Sequence, residues 1–483
     1  MMHCAKFSNN FGFSYFICLS CVFFSSYTQN PELCGLSKED ICRYSRQIII
    51  PEFGPSRQLK LARAHVLIVG CGGLGCPAAV YLAAGGVINI TLVDDDVVEA
   101  TNLHRQVMHS EDKLGCPKVE SLAQKLKSVN SSVRIVTRNV RLTCENACGI
   151  ISGHDIVLDC TDNITTRYLL NDACAACGPI PLVSGSALRF EGQMTVYLTH
   201  RPPERDSSEC ETKRLRLIDE EKVPCFRCIN PSPPPAVQAC SDAGVLGVVP
   251  GIIGTLQAAE VIKLLSGIGE SMAGRLLVFD LERNGIRMVK LRQARPDCKT
   301  CSRVNRITPE DVKKTDYVDF CGASVHNVSR SANLQKSDTR ISVRALKEIR
   351  DSKKPHLLID IRPVVETEIC RLTDCLYIPF NELYKESNLT LIRDRIRAAH
   401  EVSPNTPFPV ILLCRRGNKS HAACKQFAEA LERILPRSAS SGDLTSLVNG
   451  DAKPVIPIKF LVHDVAGGLQ AWSEQIDNNF PIY

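Results

Sequence analysis

Residues 66–94 read VLIVGCGGLGCPAAVYLAAGGVINITLVD: an apolar strand, a glycine-rich turn, a helix, and a second apolar strand ending in an acid. Gly70, Gly72 and Gly75 permit a tight turn and let the backbone approach the phosphates of a nucleotide. That phosphate charge would lie against the N-terminus of the helix that Pro77 opens. Asp94 comes about 20 residues after the turn, where ribose hydroxyls are expected. Strand, glycines, helix and acid occur in register, which an accidental glycine cluster in a loop would not provide. The stretch predicts a Rossmann-like α/β domain that binds an adenine nucleotide.

Taken alone, this fingerprint also fits a nicotinamide or flavin dehydrogenase. The residues that follow argue against redox chemistry. Asp95 and Asp96 come next, then Thr101-Asn102-Leu103-His104-Arg105-Gln106, then Lys118 and, after another apolar strand, Asp159, Asp162 and Asn163. Arginine and lysine beside a nucleotide neutralise a triphosphate, and an added carboxylate can hold Mg2+. Hydride transfer requires neither. Several such groups placed after the strand ends of one sheet point to a site rather than to solvated surface charge.

With Arg43-Tyr44-Ser45-Arg46-Gln47, these motifs resemble the adenylating enzymes that activate ubiquitin-like proteins. The branch is that of bacterial molybdopterin-synthase adenylyltransferase and its eukaryotic relative fused to a rhodanese domain. The resemblance extends over residues 43–483 and is far more specific than the glycine turn alone. Such an enzyme holds the α-phosphate of ATP and a carboxylate in line while cations absorb the charge developing on pyrophosphate. The resemblance implies Arg105 and Lys118 as phosphate clamps and Asp162 as the carboxylate for Mg2+. It assigns the phosphate oxygens to Asn102 and the ribose to Asp94. Gly73, Thr101, Leu103, His104 and Asn163 complete the nucleotide-binding set. It also implies a homodimer in which Arg46 acts on the partner subunit's site.

Two cysteine pairs follow, Cys225-Phe226-Arg227-Cys228 and Cys298-Lys299-Thr300-Cys301. Two CxxC knuckles supply four thiolates, a closed tetrahedral set with no position for water, and so predict one structural Zn2+ per subunit. A disulfide pair or a redox CxxC are the alternatives. Between them, Cys240 precedes Gly244, Gly247 and an apolar helical run at 251–265. A lone cysteine is usually a small buried hydrophobe. This one occupies the position of the catalytic cysteine in the resembling family, where a thiolate can attack an acyl-adenylate or capture its acyl group.

A second module is expected at 339–483, after a polar linker at 315–338. Its strands at 357–361 and 410–413 lead to Asp360-Ile361-Arg362 and to Cys414-Arg415-Arg416-Gly417-Asn418-Lys419-Ser420. With Ala466-Gly467-Gly468-Leu469-Gln470-Ala471-Trp472, these resemble the rhodanese fold. A cysteine between strand and helix sits among backbone N–H groups, where the helix dipole favours an anion such as a persulfide on Cys414. Cysteine phosphatases place an arginine six residues after the cysteine. Here that position is Ser420, so sulfur carriage is the better reading.

Joined, the modules imply adenylation of the C-terminal glycine of a ubiquitin-like sulfur carrier at residues 41–314, then sulfur delivery from Cys414 to give a thiocarboxylate. The resemblance implies two carriers, a ubiquitin-related modifier serving tRNA wobble-uridine thiolation and the small subunit of molybdopterin synthase. A cysteine desulfurase or another persulfide donor would supply the sulfur. The rival from another class is a non-catalytic adaptor for ubiquitin-like proteins. The presence of Asp94, Arg105, Lys118, Asp162 and Cys240 speaks against it.

The bulk properties agree. The net charge is +6 from 58 basic and 52 acidic residues, which does not indicate direct nucleic-acid binding. The 24 cysteines are too sparse for a disulfide scaffold and suit a reducing cytosol. The N-terminal extension at 1–40 carries an apolar stretch at 11–24 that loosely resembles a secretory signal, too short and too interrupted by serines for a membrane span; an atypical, disordered extension is expected rather than true targeting. The charged run at 200–222 and the serine- and glycine-rich run at 436–453 are expected as surface insertions.

Overall fold

The computed structural model describes residues 35–198, 223–233, 243–302, 306–321, 339–402, 406–435 and 458–483. The apolar N-terminal stretch, the 200–222 insertion, Cys240 and the 436–453 insertion lie outside the described residues. The chain divides into two compact units, Met1–Ser324 and Val325–Tyr483.

The first unit is built on an eight-stranded sheet in the order β3-β2-β1-β4-β5-β6-β7-β8. Its strands are β1 (His65–Val69), β2 (Asn89–Val93), β3 (Arg134–Arg138), β4 (Ile156–Asp159), β5 (Leu182–Leu188), β6 (Glu191–Tyr197), β7 (Arg275–Asp280) and β8 (Gly285–Lys290). Strands β3 to β5 pair in parallel and β5 to β8 antiparallel. The parallel half is the α/β Rossmann-like arrangement read from residues 66–94. Strands β1 and β4 are apolar at nearly every position because helices cover both faces. Alternation along β1 sends Val66 and Ile68 into one core with Leu82, Leu122 and Ile253. It sends Leu67 and Val69 into the opposite core with Tyr168, Phe226, Cys225 and Cys228.

The helix after the glycine turn spans Gly75–Ala84, so it begins two residues before Pro77, which sits inside its first turn. Gly75 is dictated by close approach: a methyl group there would lie 1.9 Å from the Gly70 carbonyl oxygen. Among the described residues one helix, Val248–Ser266, is long and apolar enough to cross a membrane. Its apolarity has a simpler cause, since it packs on Gly75–Ala84, β5 and β6 and buries Val249, Ile253, Ala258 and Val261. Residues 315–321, at the start of the expected linker, pack instead within the first unit. Tyr317 in the short helix Tyr317–Phe320 is buried and donates to Asp172 Oδ2 at 3.0 Å.

The second unit has a five-stranded sheet in the order β11-β10-β12-β13-β9, all parallel. These strands are β9 (Arg340–Ile341), β10 (Leu357–Asp360), β11 (Leu376–Tyr377), β12 (Phe408–Leu413) and β13 (Phe460–Val465). Helices cover both faces, with Ile359, Leu412 and Phe427 in one core and Leu358, Ile411 and Trp472 in the other. Cys414 follows the last residue of β12, at the carboxyl end where sites form in parallel sheets.

Candidate functional site

The C-terminal ends of β1, β2 and β4 bring the predicted nucleotide residues together. Asp94, just past β2, accepts the N–H of Cys71 in the glycine turn at 2.7 Å through Oδ2, and the N–H of Asp96 at 2.9 Å through Oδ1. Burial raises its carboxyl pKa, while Lys118 and those two N–H groups pull the other way. Lys118 opens the helix Lys118–Val129, is itself buried, and places Nζ 2.9 Å from Asp96 Oδ2. Burial pulls its ammonium down, but Asp94, Asp96 and Asp162 outweigh burial and raise it, so Lys118 remains a cation. Asp162 is exposed beyond β4, near enough to act on Lys118. Asn163 serves the fold: it caps the helix Ile164–Ala176, its Oδ1 accepting the Thr166 N–H at 2.8 Å.

Residues 101–106 form the wall facing the glycine turn. A methyl group on Gly73 would lie 3.5 Å from the Arg105 carbonyl oxygen, so loop and turn are in near contact. Asn102 is buried, with its carbonyl accepting the N–H groups of Arg105 and Gln106 at 3.1 and 3.0 Å. Arg105 Nη1 donates to the Thr101 carbonyl at 3.0 Å and lies 3.3 Å from His104 Nε2. Its guanidinium therefore folds back onto its own loop. Burial and the Arg105 charge hold the exposed His104 below the usual imidazole range. Thr101 is exposed and Leu103 half-buried. Gln106 is 4% exposed and lies against Gly72, and its Oε1 has no hydrogen-bond partner among the described residues. A buried, unpaired acceptor beside the turn fits a site that takes a polar ligand.

Arg46 is exposed in the last turn of the helix Lys38–Ile48. Its neighbours fix that helix elsewhere. Gln47 Nε2 donates to the Gly85 carbonyl at 2.8 Å, and the Tyr44 hydroxyl accepts from Asn130 Nδ2 at 2.8 Å. Gly85 is the C-cap of Gly75–Ala84, about 15 Å along that helix from the glycine turn. Arg46 is thus not brought to the glycine turn of its own chain.

The cysteine knuckles converge. Sγ separations are 3.8 Å for Cys225–Cys228, 3.7 Å for Cys225–Cys298 and 3.5 Å for Cys228–Cys301. Four thiolates about 2.3 Å from a tetrahedral Zn2+ would stand about 3.8 Å apart, so the donor set fits that ion. Hydrogen bonds among the four thiols push Cys228 and Cys298 below the usual thiol range and Cys225 and Cys301 above it, so the cluster titrates as one coupled unit. No disulfide joins any of the described cysteines. Asp172, which sequence reasoning missed, anchors the cluster. It takes a bidentate ion pair from Arg227, and the Thr300 hydroxyl reaches it at 3.2 Å. Arg227 lies 5.0 Å from the ring centre of Tyr168 and 4.4 Å from that of Phe320.

In the second unit, Cys414 is 4% exposed. Its Sγ lies 3.2 Å from Ser420 Oγ and accepts the Ser420 N–H at 3.4 Å. Gly417, at φ +79°, lets the loop turn into the helix Asn418–Ile434; a methyl group there would meet Gly467 N and Val465 O at 2.7 Å. Arg340 holds the loop from below, donating to the Gly417 carbonyl at 3.1 Å while paired with buried Asp464 at 3.0 Å. Arg362 is buried in an ion pair with Asp360 at 2.7 Å. Tyr483 carries no sequence signal of its own, yet its hydroxyl bonds to Arg362 and donates to Glu366 Oε2 at 2.9 Å. Its ring lies 4.6 Å below the Arg415 guanidinium.

Comparison with known proteins places this geometry in a family. Residues 44–300 match the model of the ThiF family. The adenylyltransferase and sulfurtransferase MOCS3 of Sus scrofa is 43% identical over 94% of this chain and 90% of that protein. The protein of the same name from Xenopus laevis is 42% identical over 93% of this chain and 89% of its own length. Among solved structures, E. coli MccB with ATP is similar at 22% identity, covering 51% of this chain and 70% of that one with a TM-score of 0.42. With more than half of its length matched by the family model, and relatives aligned almost end to end, the chain belongs to the ThiF family.

Proposed function

We propose that this chain is an adenylyltransferase and sulfurtransferase that activates the C-terminal glycine of ubiquitin-like sulfur-carrier proteins with ATP and then exchanges the activated oxygen for sulfur. The observation that carries this reading is that both halves of the chemistry occur in one chain. A nucleotide turn with Asp94 and Lys118 stands in one unit and a strand-end cysteine in the other, in a chain 43% identical to a protein bearing both activities in its name.

The carrier's carboxylate attacks the α-phosphorus of ATP, forming an acyl-adenylate and releasing pyrophosphate. Asp94 accepts the ribose hydroxyls. Lys118 and Arg105 neutralise phosphate charge, Arg105 by exchanging its bond to Thr101 for phosphate oxygens. Asn102 orients the phosphates, and Arg46 enters from the partner subunit of a homodimer. Asp162 is the carboxylate that would hold Mg2+, which when bound offsets the charge on the leaving pyrophosphate. The four cysteines 225, 228, 298 and 301 would hold a structural Zn2+. A persulfide on Cys414, loaded by a cysteine desulfurase or another persulfide donor, attacks the acyl carbon and displaces AMP. Cys240 then attacks the Cys414 sulfur, releasing the thiocarboxylate and leaving a disulfide that a cellular thiol reopens. The ubiquitin-related modifier and the small molybdopterin-synthase subunit are the proposed carriers. The chain works in the cytosol, at no membrane, and meets tRNA only through the carrier.

The test is direct. Purified full-length chain, MgATP, a persulfide donor and each carrier are incubated, and the carrier is weighed by mass spectrometry. Exchange of one terminal oxygen for sulfur is expected. ATP binding without that exchange would instead favour a non-catalytic adaptor.

A further inference from the structure

Cys71, inside the glycine turn, is held from two sides. Its N–H donates to Asp94 Oδ2 at 2.7 Å, and its carbonyl accepts from His109 Nε2 at 3.0 Å. A carbonyl only accepts, so the His109 proton resides on Nε2, and Nδ1 accepts the Ser121 hydroxyl at 2.8 Å. The Cys76 thiol adds a weaker bond to the same carbonyl at 3.4 Å and lies 3.7 Å from Nε2. His109 is 6% exposed, and burial holds it below the usual imidazole range, so the ring is neutral. Ser121 lies in the first turn of Lys118–Val129, the helix that Lys118 opens. One buried ring therefore ties the glycine turn to the helix bearing the cation of the site.

We propose that His109 is a positioning residue for triphosphate binding: it keeps the Cys71 carbonyl turned into the protein, so that the glycine turn offers N–H groups to the phosphates. The inference rests on the nucleotide reading given above. Its physics is that of a single peptide unit. In the trans peptide between Cys71 and Gly72, C=O and N–H point in opposite directions. Anchoring the oxygen inward directs the Gly72 N–H outward, where an anion is attracted. Released from His109, this unit can rotate, which withdraws a donor and presents a carbonyl dipole that repels phosphate. Adenosine lacks phosphates and is indifferent to the rotation.

The experiment compares ATP and adenosine binding to the full-length wild type, His109→Ala and His109→Gln by calorimetry. His109→Ala is expected to weaken ATP about tenfold, the value of roughly one hydrogen bond, and to leave adenosine unchanged. His109→Gln, whose amide can donate to Cys71 and accept from Ser121, is expected to restore ATP binding to within about twofold. Equal losses for both ligands, or no loss for either, would overturn the proposal. If His109→Ala does not fold, Ser121→Ala is judged by the same selectivity, with a smaller ATP-specific loss expected. A wild type that binds adenosine but not ATP sinks the triphosphate reading itself, an outcome distinct from an unselective variant.

Discussion

Arg227 and Asp172 meet as a bidentate ion pair across 55 residues of sequence, with Nη2 2.7 Å from Oδ2 and Nε 2.9 Å from each carboxylate oxygen. Asp172 is fully buried and also accepts from Asn171, Thr300 and Tyr317. The pair fastens the first cysteine knuckle to the helix Ile164–Ala176, so the cysteine cluster is anchored to that helix and not held by its four thiols alone. Removing one member of a buried pair leaves a charge with no partner. Asp172→Asn is expected to cost about 3 kcal/mol in denaturant unfolding. The double variant with Arg227→Met should recover part of that loss, and equal costs for the single and double variants would deny the coupling.

Zinc removal should act on the fold before it acts on catalysis. Cys301→Ser removes one ligand of a closed set and is expected to reduce zinc from about one ion per chain to nearly none, measured by atomic emission. The melting temperature should fall with it. Pyrophosphate exchange per folded molecule should be preserved, because Lys118, at the start of the helix Lys118–Val129, and Asp94, just past β2, take no part in the knuckles.

The pH dependence of ATP binding follows from Asp94. Burial raises its carboxyl pKa above the ordinary aspartate value, so the folded state holds that proton more tightly than the unfolded chain. Acidification through this raised pKa therefore favours folding on Asp94's account, and its ionisation cost returns as pH rises. Ribose binding needs the ionised acceptor and must weaken in the same window. ATP affinity is expected to fall on acidification before the fold is lost, and Asp94→Asn should bind weakly with a flat profile. Lys118 has a raised pKa, keeps its charge throughout that window, and adds no slope. Lys118→Ala should instead lower pyrophosphate exchange at every pH, by about a hundredfold, which steady-state exchange rates would check.

The two units should be separable by mutation. Cys414→Ala is expected to abolish thiocarboxylate formation while leaving pyrophosphate exchange intact. Ser420→Ala removes the hydroxyl 3.2 Å from the sulfur and should slow sulfur transfer about tenfold, since hydrogen bonds to anions contribute about 1.5 kcal/mol or more. Sulfur transfer from thiosulfate to cyanide provides the assay. An unaltered rate in Ser420→Ala would mean that the backbone N–H alone holds the anion.

Much of the site was legible because its signals are local. The turn at Gly70–Cys71–Gly72 with Asp94, the paired CxxC knuckles, and the loop from Cys414 to Ser420 each report a short stretch whose backbone conformation requires those residues. Helix boundaries were less legible. Gly75, not Pro77, starts the first crossover helix, because that helix begins as tightly as the close approach to Gly70 allows. Asn163, expected in the nucleotide-binding set, also caps the helix Ile164–Ala176, a second use of the same amide that depends on the N–H groups following it.

By itself the sequence determined the Rossmann-like fold, the nucleotide turn, the cysteine set for a metal and the strand-end thiol of a second α/β unit, since periodicity and spacing along the chain encode them. Tertiary structure alone decided what supports those groups. Asp172 beneath the knuckles, His109 behind the turn, Arg340 under the Cys414 loop and Tyr483 against Arg415 are single polar or aromatic residues with no repeating pattern. Each acquires its role from a partner 38 to 121 residues away. Burial in the folded core, where an unpaired polar group is costly, is what selects such partners, and no local stretch of sequence records it.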